Sequence, residues 1–375
     1  MIYLDNAATT FPKPLCVCEE INKCIKQYCG NPGRSSHRLS IKSSEKIYET
    51  RDLLSKLFNG EPENVIFTLN TTYALNFAIK SLIKPSSHVL TSDIEHNSVL
   101  RPVNKLSNEK ICSYDVFNTS GSDDEIIEDI LSKIQNNTSM IVCTHVSNIG
   151  AKILPIKKIG KLCKEKGIIF IVDAAQSAGI YEINIKDMNI NALCFPAHKG
   201  LYGPQGVGAV IFNSVEPNRT IIEGGTGINS KDLDMPSFLP EMLEGGTLPT
   251  PSIAGWCEAL KWLKTLNINK IRSHEEELYD ICKNILSENK RLKLYLWDKS
   301  CGNTILFNVS NMSASSVASE LDKYDICVRS GFHCAPMAHK KLKTGENGAV
   351  RISFSVFNSK KDVYELCDKI KSITK

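Results

Sequence analysis

Short apolar runs alternate with amphipathic stretches between about residues 65 and 213. The apolar runs are rich in β-branched residues and predict buried strands at 65–69, 88–91, 140–144, 168–173 and 207–212. The amphipathic stretches predict helices at 74–82, 126–134 and 156–166. Strands that alternate with helices usually pair in parallel, so this part of the chain predicts an α/β domain with helices on both faces of its sheet.

The last third of the chain has a different pattern. Residues 214–250 lose periodicity and are rich in glycine and proline, which predicts an irregular connector. A long helical pattern follows residue 251 and runs to about residue 288. Strands are then predicted near 292–296, 304–309 and 350–354, with helices near 315–321 and 361–372. This order predicts a second, smaller α+β domain.

Composition and charge narrow the classes of partner. The chain has 45 lysine and arginine residues against 41 aspartate and glutamate residues, a net charge of +4, and the two signs are interspersed. We therefore expect no nucleic-acid partner. No apolar stretch approaches the roughly 18 residues that span a bilayer, and the first residues do not resemble a signal peptide. We expect a cytoplasmic protein that does not enter a membrane.

The fourteen cysteines predict reduced thiols rather than disulfides, because the expected compartment is reducing. Most lie within apolar runs, where cysteine behaves as a small hydrophobic residue. Cys16, Cys18, Cys24 and Cys29 lie close together, but their spacing matches no zinc or iron–sulfur pattern. No metal site is predicted.

Lys199 lies between a histidine and a Gly-Leu-Tyr-Gly-Pro turn, a rigid loop that can present one amine to a ligand. Such an amine can form a Schiff base with a carbonyl, and pyridoxal phosphate is the usual carbonyl. Asp173 ends the strand predicted at 168–173, where its carboxylate could keep a pyridinium nitrogen protonated; the alternative is a helix N-cap. With Lys199 on a nearby loop, the cofactor role of Asp173 is favoured.

Other polar residues near strand ends are compatible with the same cofactor. His96 could stack on the ring and move protons, or could be only a hydrogen-bonded loop histidine. Thr71 and Thr72 begin a predicted helix and could bind a phosphate, or could only cap that helix. Thr247, after two glycines, could also approach a phosphate, although such loops usually only turn. Neither the dinucleotide glycine spacing nor a Walker-type motif occurs, which argues against nicotinamide and nucleoside-triphosphate cofactors.

Cys334 is expected to be reactive, because it lies outside any apolar run, on a polar loop that contains a glycine. Its basic neighbours in sequence are His333, His339, Lys340 and Lys341. Positive neighbours and exposure favour the nucleophilic thiolate. Arg351 begins a predicted strand and could clamp a substrate carboxylate in a bidentate pair, with a surface salt bridge as the alternative. Arg329 is a second candidate for that role.

Taken together, these residues resemble the cysteine desulfurase and selenocysteine lyase family, in the class-V aminotransferase group of fold-type I pyridoxal phosphate enzymes. The resemblance runs nearly from end to end, and the order and spacing of its motifs are specific. The matching stretches are Tyr3-Leu-Asp-Asn-Ala-Ala-Thr-Thr10, Gly30-Asn-Pro32, Glu95-His96, His145-Val-Ser-Asn148, Val172-Asp-Ala-Ala-Gln176, His198-Lys-Gly-Leu-Tyr-Gly-Pro204, Arg329-Ser-Gly-Phe-His-Cys334 and Val350-Arg351.

The resemblance implies a large domain over residues 16–260 with a mostly parallel seven-stranded sheet. It implies a smaller α+β domain over residues 261–375 that carries Cys334 and Arg351, and an N-terminal segment, residues 1–15, that packs with this smaller domain. It also implies a homodimer with active sites near the subunit interface, and an acceptor protein for the sulfur.

The resemblance also implies a role for each site residue. Lys199 would carry pyridoxal 5′-phosphate, with Asp173 on the ring nitrogen and His96 stacked on the ring. The other implied roles are a bond to the phenolic oxygen from Gln176, phosphate binding by Thr72 and His198 with Thr247 of the partner subunit, carboxylate binding by Asn148 and Arg351, and sulfur acceptance by Cys334.

The implied reaction converts L-cysteine to L-alanine and leaves a persulfide on Cys334. The alternatives are a selenocysteine lyase, another class-V β-lyase or aminotransferase in which Cys334 is incidental, and a non-catalytic sulfur carrier. The sequence departs from the family at Pro196, where many relatives have a serine that bonds the phosphate. It also departs at Phe332, where histidine is common, and at Pro336-Met337, which replaces a Gln-Pro pair.

Overall fold

A computed structural model describes residues 1–33, 36–297 and 302–374. The strands within these residues are β1 (Ile2–Tyr3), β2 (Val65–Thr68), β3 (Ser87–Ser92), β4 (Cys112–Phe117), β5 (Thr138–Thr144), β6 (Ile169–Asp173), β7 (Ala192–Pro196), β8 (Gly208–Phe212), β9 (Leu292–Tyr295), β10 (Thr304–Val309), β11 (Ile326–Cys327), β12 (Arg329–Gly331) and β13 (Ala349–Ser353). The helices within the same residues are α1 (Leu15–Gln27), α2 (Arg38–Phe58), α3 (Thr71–Leu82), α4 (Asn97–Asn108), α5 (Asp123–Lys133), α6 (Ile156–Lys166), α7 (Thr250–Leu266), α8 (Ile268–Ser287), α9 (Ala314–Asp322), α10 (Pro336–Leu342) and α11 (Lys360–Ile373).

A seven-stranded sheet in the order β2-β8-β7-β6-β5-β3-β4 forms the centre of the molecule. The strands from β7 to β4 pair in parallel, and only β8 runs antiparallel to its neighbours. Successive residues face different cores: Leu90 packs in one hydrophobic cluster and Val89 in another, across the sheet. Because both faces are covered, the strands are apolar throughout rather than alternating. The predicted α/β architecture with a mostly parallel seven-stranded sheet is confirmed.

Two strands of this sheet were missing from the sequence prediction. β4 is an edge strand in which only the first and last residues are buried, and exposed residues such as Ser113 alternate with half-buried ones between them, so its apolar run is interrupted. β7 is only five residues long and ends in Pro196, and a proline in a sequence usually indicates the end of a strand. Both strands pair with neighbours that are distant in sequence or separated from them by a helix or loop, and local sequence does not record this pairing.

The long helix predicted after residue 251 is two helices. Asn267 separates α7 from α8 with a φ of 61°, in the left-handed region that interrupts a helix. Its side chain then accepts a hydrogen bond from the backbone N–H of Asn269 at 2.9 Å and caps α8. The apolar pattern continues across this break, so periodicity alone did not reveal it.

A four-stranded antiparallel sheet, β12-β13-β10-β9, forms the C-terminal part. The first residues of the chain pack against this part: β1 pairs in parallel with β11 in a separate two-stranded sheet, and the backbone N–H of Ser353 donates to the carbonyl of Leu4 at 2.8 Å. The predicted boundary between the two domains, at residue 260, falls inside α7. The division of the chain into these two domains stays a prediction.

The predicted irregular connector lies between β8 and α7, in a part of the chain that the structure describes fully, and it contains neither helix nor strand. A buried ion pair anchors the connector to α2: Nη2 of Arg51 lies 2.5 Å from Oε2 of Glu244. Glu244 also accepts a hydrogen bond from the backbone N–H of Phe67 at 2.6 Å. Among the described residues, no helix is both long and apolar enough to cross a membrane.

Candidate active site

A cavity of about 270 Å³ lies at the carboxyl-terminal edge of the parallel strands, against the C-terminal sheet. β5 and β6 end here side by side, with Thr144 paired in register with Asp173. Parallel strands bring their carboxyl ends to one edge, which is where open α/β sheets bind ligands. Of the predicted site residues, the cavity is lined by Thr71, Thr72, His96, Asn148, Asp173, Gln176, His198, Lys199, Arg329, Cys334 and Arg351.

Lys199 and Asp173 reach the cavity from neighbouring strands. Lys199 follows β7, and its carbonyl accepts a hydrogen bond from the N–H of Tyr202 at 2.8 Å, which closes the predicted turn. Burial lowers the pKa of the Lys199 amine to about 8, against an opposing attraction from the Asp173 carboxylate. Burial raises the pKa of Asp173, and a hydrogen bond from the N–H of Ala175 at 2.9 Å opposes that rise. No helix follows Asp173 directly, so the alternative reading as a helix N-cap is wrong.

Two helix N-termini form one wall of the cavity. Asn70 caps α3 by accepting from the N–H of Tyr73, which leaves the hydroxyl of Thr72 free to donate to Ser98 Oγ at 3.3 Å. His96 caps α4 through Nδ1, which accepts from the N–H of Ser98 at 3.1 Å. The imidazole is therefore both a helix cap and a part of the cavity wall. The N-termini of both helices favour an anion.

Arg351 is buried, and its guanidinium is held on two sides. Nη2 donates to Asp5 Oδ1 at 2.8 Å, and Nη1 donates to the carbonyl of Asn148 at 3.4 Å. The Asp5 pair joins a buried guanidinium to a half-buried carboxylate, so it is not the surface salt bridge that was the alternative interpretation. Arg329 lies directly opposite Arg351 in the β12–β13 register, so both cations reach the same cavity.

The Cys334 loop closes the cavity from the C-terminal part. His333 and Cys334 both have positive φ values, 49° and 57°, which non-glycine residues adopt rarely. Two contacts hold this backbone: the Cys334 carbonyl accepts from the N–H of Asn97 at 2.8 Å, and Asn148 Nδ2 donates to the His333 carbonyl at 2.8 Å. The Cys334 side chain is exposed and lines the cavity.

The predicted positive neighbours of Cys334 are largely absent. His333 and His339 are buried and stacked at 5.3 Å between ring centroids, and burial lowers their pKa values to about 2 and about 4, so both rings are neutral. Lys341 instead pairs with Asp93. The basic side chains that line the cavity with Cys334 include Lys199, Arg329 on β12 and Arg351 on β13.

Thr247 is not in this cavity. It is exposed and lines a separate depression with Pro32 and Gly246. Its implied contact with the phosphate of the partner subunit stays a prediction. Residues that were assigned no role also line the cavity or hold its residues, among them Asp5, Ser98 and Ala7, whose carbonyl accepts from Gln176 Nε2 at 2.9 Å.

The fold and site define a class-V aminotransferase: the family model "Aminotransferase class-V" matches residues 2–366. A probable cysteine desulfurase of Pyrococcus abyssi is 33% identical over 100% of this chain and 94% of its own length. One of Borreliella burgdorferi is 30% identical over 100% of this chain and 92% of its own length. The chain belongs to the cysteine desulfurase family within the class-V aminotransferases, as the resemblance implied.

Solved structures agree with this fold. The apo structure of a cysteine desulfurase from Thermococcus onnurineus NA1 has a TM-score of 0.89 and 30% identity, and the match covers 100% of this chain and 94% of that one. An S-sulfonic acid form of a cysteine desulfurase from Escherichia coli has a TM-score of 0.88 at 22% identity. The match covers 99% of this chain and 94% of that one, and it supports the fold alone.

Within the described residues, no group of three or more candidate ligands could hold a metal ion.

Proposed function

We propose that this chain is a cysteine desulfurase that takes sulfur from L-cysteine onto Cys334 and releases L-alanine. The observation that carries the proposal is the shared cavity, which brings Cys334 to the same space as Lys199, Asp173 and Arg351. A lyase or transaminase needs an amine, a carboxylate and a carboxylate clamp, but it has no use for an exposed thiol on a strained loop at that place.

The residues present fit pyridoxal 5′-phosphate, the cofactor of this family. Lys199 would bond its carbonyl carbon, and Asp173 would pair with its ring nitrogen. The phosphate would lie at the N-terminus of α3, near Thr72 and His198. Nδ1 of His198 is buried and has no hydrogen-bond partner in the described part of the chain, so it is available to the phosphate. Pro196 pairs with Gly208 in the sheet and offers no donor. When bound, the cofactor supplies an electron sink for the electrons of the substrate Cα–H bond.

The chain's own groups bind and orient the substrate. The guanidinium of Arg351 would pair with the substrate carboxylate, with its orientation fixed by Asp5. Asn148 joins this clamp to the Cys334 loop, because its carbonyl contacts Arg351 and its amide contacts the carbonyl of His333. The carboxylate and the sulfur of one substrate would therefore be positioned by connected groups.

Lys199 and His96 are the residues proposed to take part in proton transfer. With a pKa of about 8, the Lys199 amine is partly neutral near pH 7 and can remove the α-proton at Nζ. Sγ of Cys334 as thiolate then attacks the substrate sulfur, so that an S–S bond forms and the substrate Cβ–S bond breaks. The electron pair of that bond ends in a new C–H bond once a proton is returned to carbon. The products are alanine and a Cys334 persulfide.

The protein would work as a homodimer and would pass its sulfur to an acceptor protein or thiol. Thr247 of the partner subunit would complete the phosphate site, since this chain's own Thr247 lies outside the cavity. Sedimentation of the purified protein tests the dimer. Loss of cofactor affinity in Thr247→Ala, without loss of fold, tests the shared site.

The deciding experiment incubates the purified protein with L-cysteine, L-selenocysteine and L-cysteine sulfinate. Alanine is quantified, and the mass of the Cys334 peptide is followed for one added sulfur. Alanine and a persulfide from L-cysteine support the proposal. Alanine from L-selenocysteine alone would identify a selenocysteine lyase instead. No alanine from any of the three, in protein that shows the absorbance of bound cofactor, refutes the desulfurase function.

A further inference from the structure

Ser98 is a cavity residue to which the proposed mechanism gives no role. It lies in the first turn of α4 and is 6% exposed, yet it lines the cavity together with Thr72 and His96. Its hydroxyl is 3.3 Å from Thr72 Oγ1 and makes a short hydrogen bond to His96 Nδ1. It therefore connects the N-termini of two helices with the imidazole between them.

The backbone of Ser98 shows which nitrogen of His96 carries the proton. The N–H of Ser98 points at Nδ1 with a distance of 3.1 Å, and an N–H can only donate. Nδ1 must then be the unprotonated nitrogen of a neutral imidazole, with the proton on Nε2. The hydroxyl of Ser98 accordingly donates to Nδ1 as well, and accepts from the hydroxyl of Thr72.

The surroundings keep this imidazole neutral. Burial, together with the facing cations of Lys199, Arg351, Arg329 and Arg101, lowers the pKa of His96 to about 4. A second proton on Nδ1 would also lose both donors from Ser98. One tautomer is thus selected by contacts on one side of the ring.

We propose that Ser98 is a positioning residue that holds His96 in its Nε2–H tautomer. The proton then lies on the nitrogen that is turned away from the α4 backbone, and the ring is held in one orientation. The catalytic meaning of this arrangement rests on the proposed function: an oriented Nε2–H of a neutral imidazole is a hydrogen-bond donor that can hold a group in place at the reacting centre. Without the hydroxyl, Nδ1 loses one of its two donors from Ser98 and keeps the backbone N–H at 3.1 Å, so the tautomer with the proton on Nδ1 becomes populated in part.

The direct test is the tautomer itself. Cofactor-loaded protein labelled with ¹⁵N at histidine is compared for wild type, Ser98→Ala and Ser98→Thr, with His96→Gln used to assign the signals. A protonated imidazole nitrogen and an unprotonated one have well-separated ¹⁵N shifts. We expect Ser98→Ala to move the Nδ1 signal of His96 towards the protonated value, and Ser98→Thr, which keeps the hydroxyl, to stay at the wild-type value. An unchanged Nδ1 shift in Ser98→Ala, with a wild-type melting temperature, overturns the proposal.

Kinetics supply a second readout. Ser98→Ala should lower kcat for alanine formation about fivefold, the factor that one hydrogen bond of ordinary strength provides, with KM changed less than about twofold. Ser98→Thr should restore most of kcat. A rise in KM at constant kcat would show a substrate-binding role and would overturn the proposal. If the wild-type protein forms no alanine, the proposed function fails, and the ¹⁵N shifts still decide the role of Ser98.

Discussion

The amine of Lys199 should react with carbonyl compounds at a pH well below the pH at which an ordinary lysine amine reacts. Burial lowers its pKa from 10.5 to about 8, while the Asp173 carboxylate opposes the change. At about pH 7.5, about a quarter of such an amine is neutral, against about 0.1% for a lysine at the ordinary value. The neutral fraction is therefore larger by about two orders of magnitude.

Replacing Asp173 with asparagine removes the attraction that keeps this pKa from falling further. A nearby opposite charge typically changes a pKa by one unit or more, so we expect the pKa of Lys199 to fall to about 7. The neutral fraction at about pH 7.5 would then rise from about a quarter to about three quarters. Loss of the acid thus makes the amine about threefold more reactive towards a simple aldehyde, although it removes the group proposed to pair with the cofactor.

Reductive methylation measures this directly. Cofactor-free protein is treated briefly with formaldehyde and a cyanoborohydride over a pH series, and methylation of each lysine is quantified by peptide mass spectrometry. Exposed lysines in the same sample are the internal reference. The rate at Lys199 should have its midpoint near pH 8 in the wild type and about one unit lower in Asp173→Asn. A wild-type midpoint above about 9.5, or a midpoint that rises in Asp173→Asn, refutes the electrostatic reasoning.

Three further predictions concern the nucleophile, the carboxylate clamp and the anchor of the connector. Cys334→Ser should lower alanine formation from L-cysteine at least about a hundredfold and abolish the persulfide mass; retained turnover would make the thiol incidental. Arg351→Lys should raise KM for L-cysteine about tenfold with kcat little changed, because the bidentate pair is lost; an unchanged KM would contradict the clamp. Arg51→Met should lower the free energy of unfolding in urea by about 3–5 kcal/mol, because it leaves Glu244 buried without its counter-charge, and Arg51→Met with Glu244→Leu should recover most of that loss. Equal instability of the single and double variants would contradict this account.

Much of the cofactor side of the site could be predicted from local sequence. Asp173 and Thr72 follow strands of one parallel sheet, and parallel strands end at one edge, so their convergence needs no knowledge of packing. Lys199 was marked by its turn, which depends on residues next to it in the chain. The apolar strands were visible for the same reason, because burial on both faces leaves a continuous run of apolar residues.

The charge states around Cys334 could not be predicted in this way. The sequence places His333 and His339 near the thiol, and a histidine near a thiol is ordinarily a candidate cation. In the structure they are buried against each other and are neutral. A pKa depends on burial and on the charges that face a group, and neither is a property of neighbours in sequence.

The sequence by itself determined the α/β architecture, the positions of most strands and the residues that meet at the edge of the sheet, because periodicity and strand order are recorded along the chain. Only the tertiary structure decided that Asp5 holds Arg351, that Ser98 connects Thr72 to His96, and that the Cys334 loop closes this cavity. These contacts join groups from separate segments of the chain. Their geometry follows from how the two sheets and their helices pack, and packing is fixed by the whole core rather than by any local run of residues.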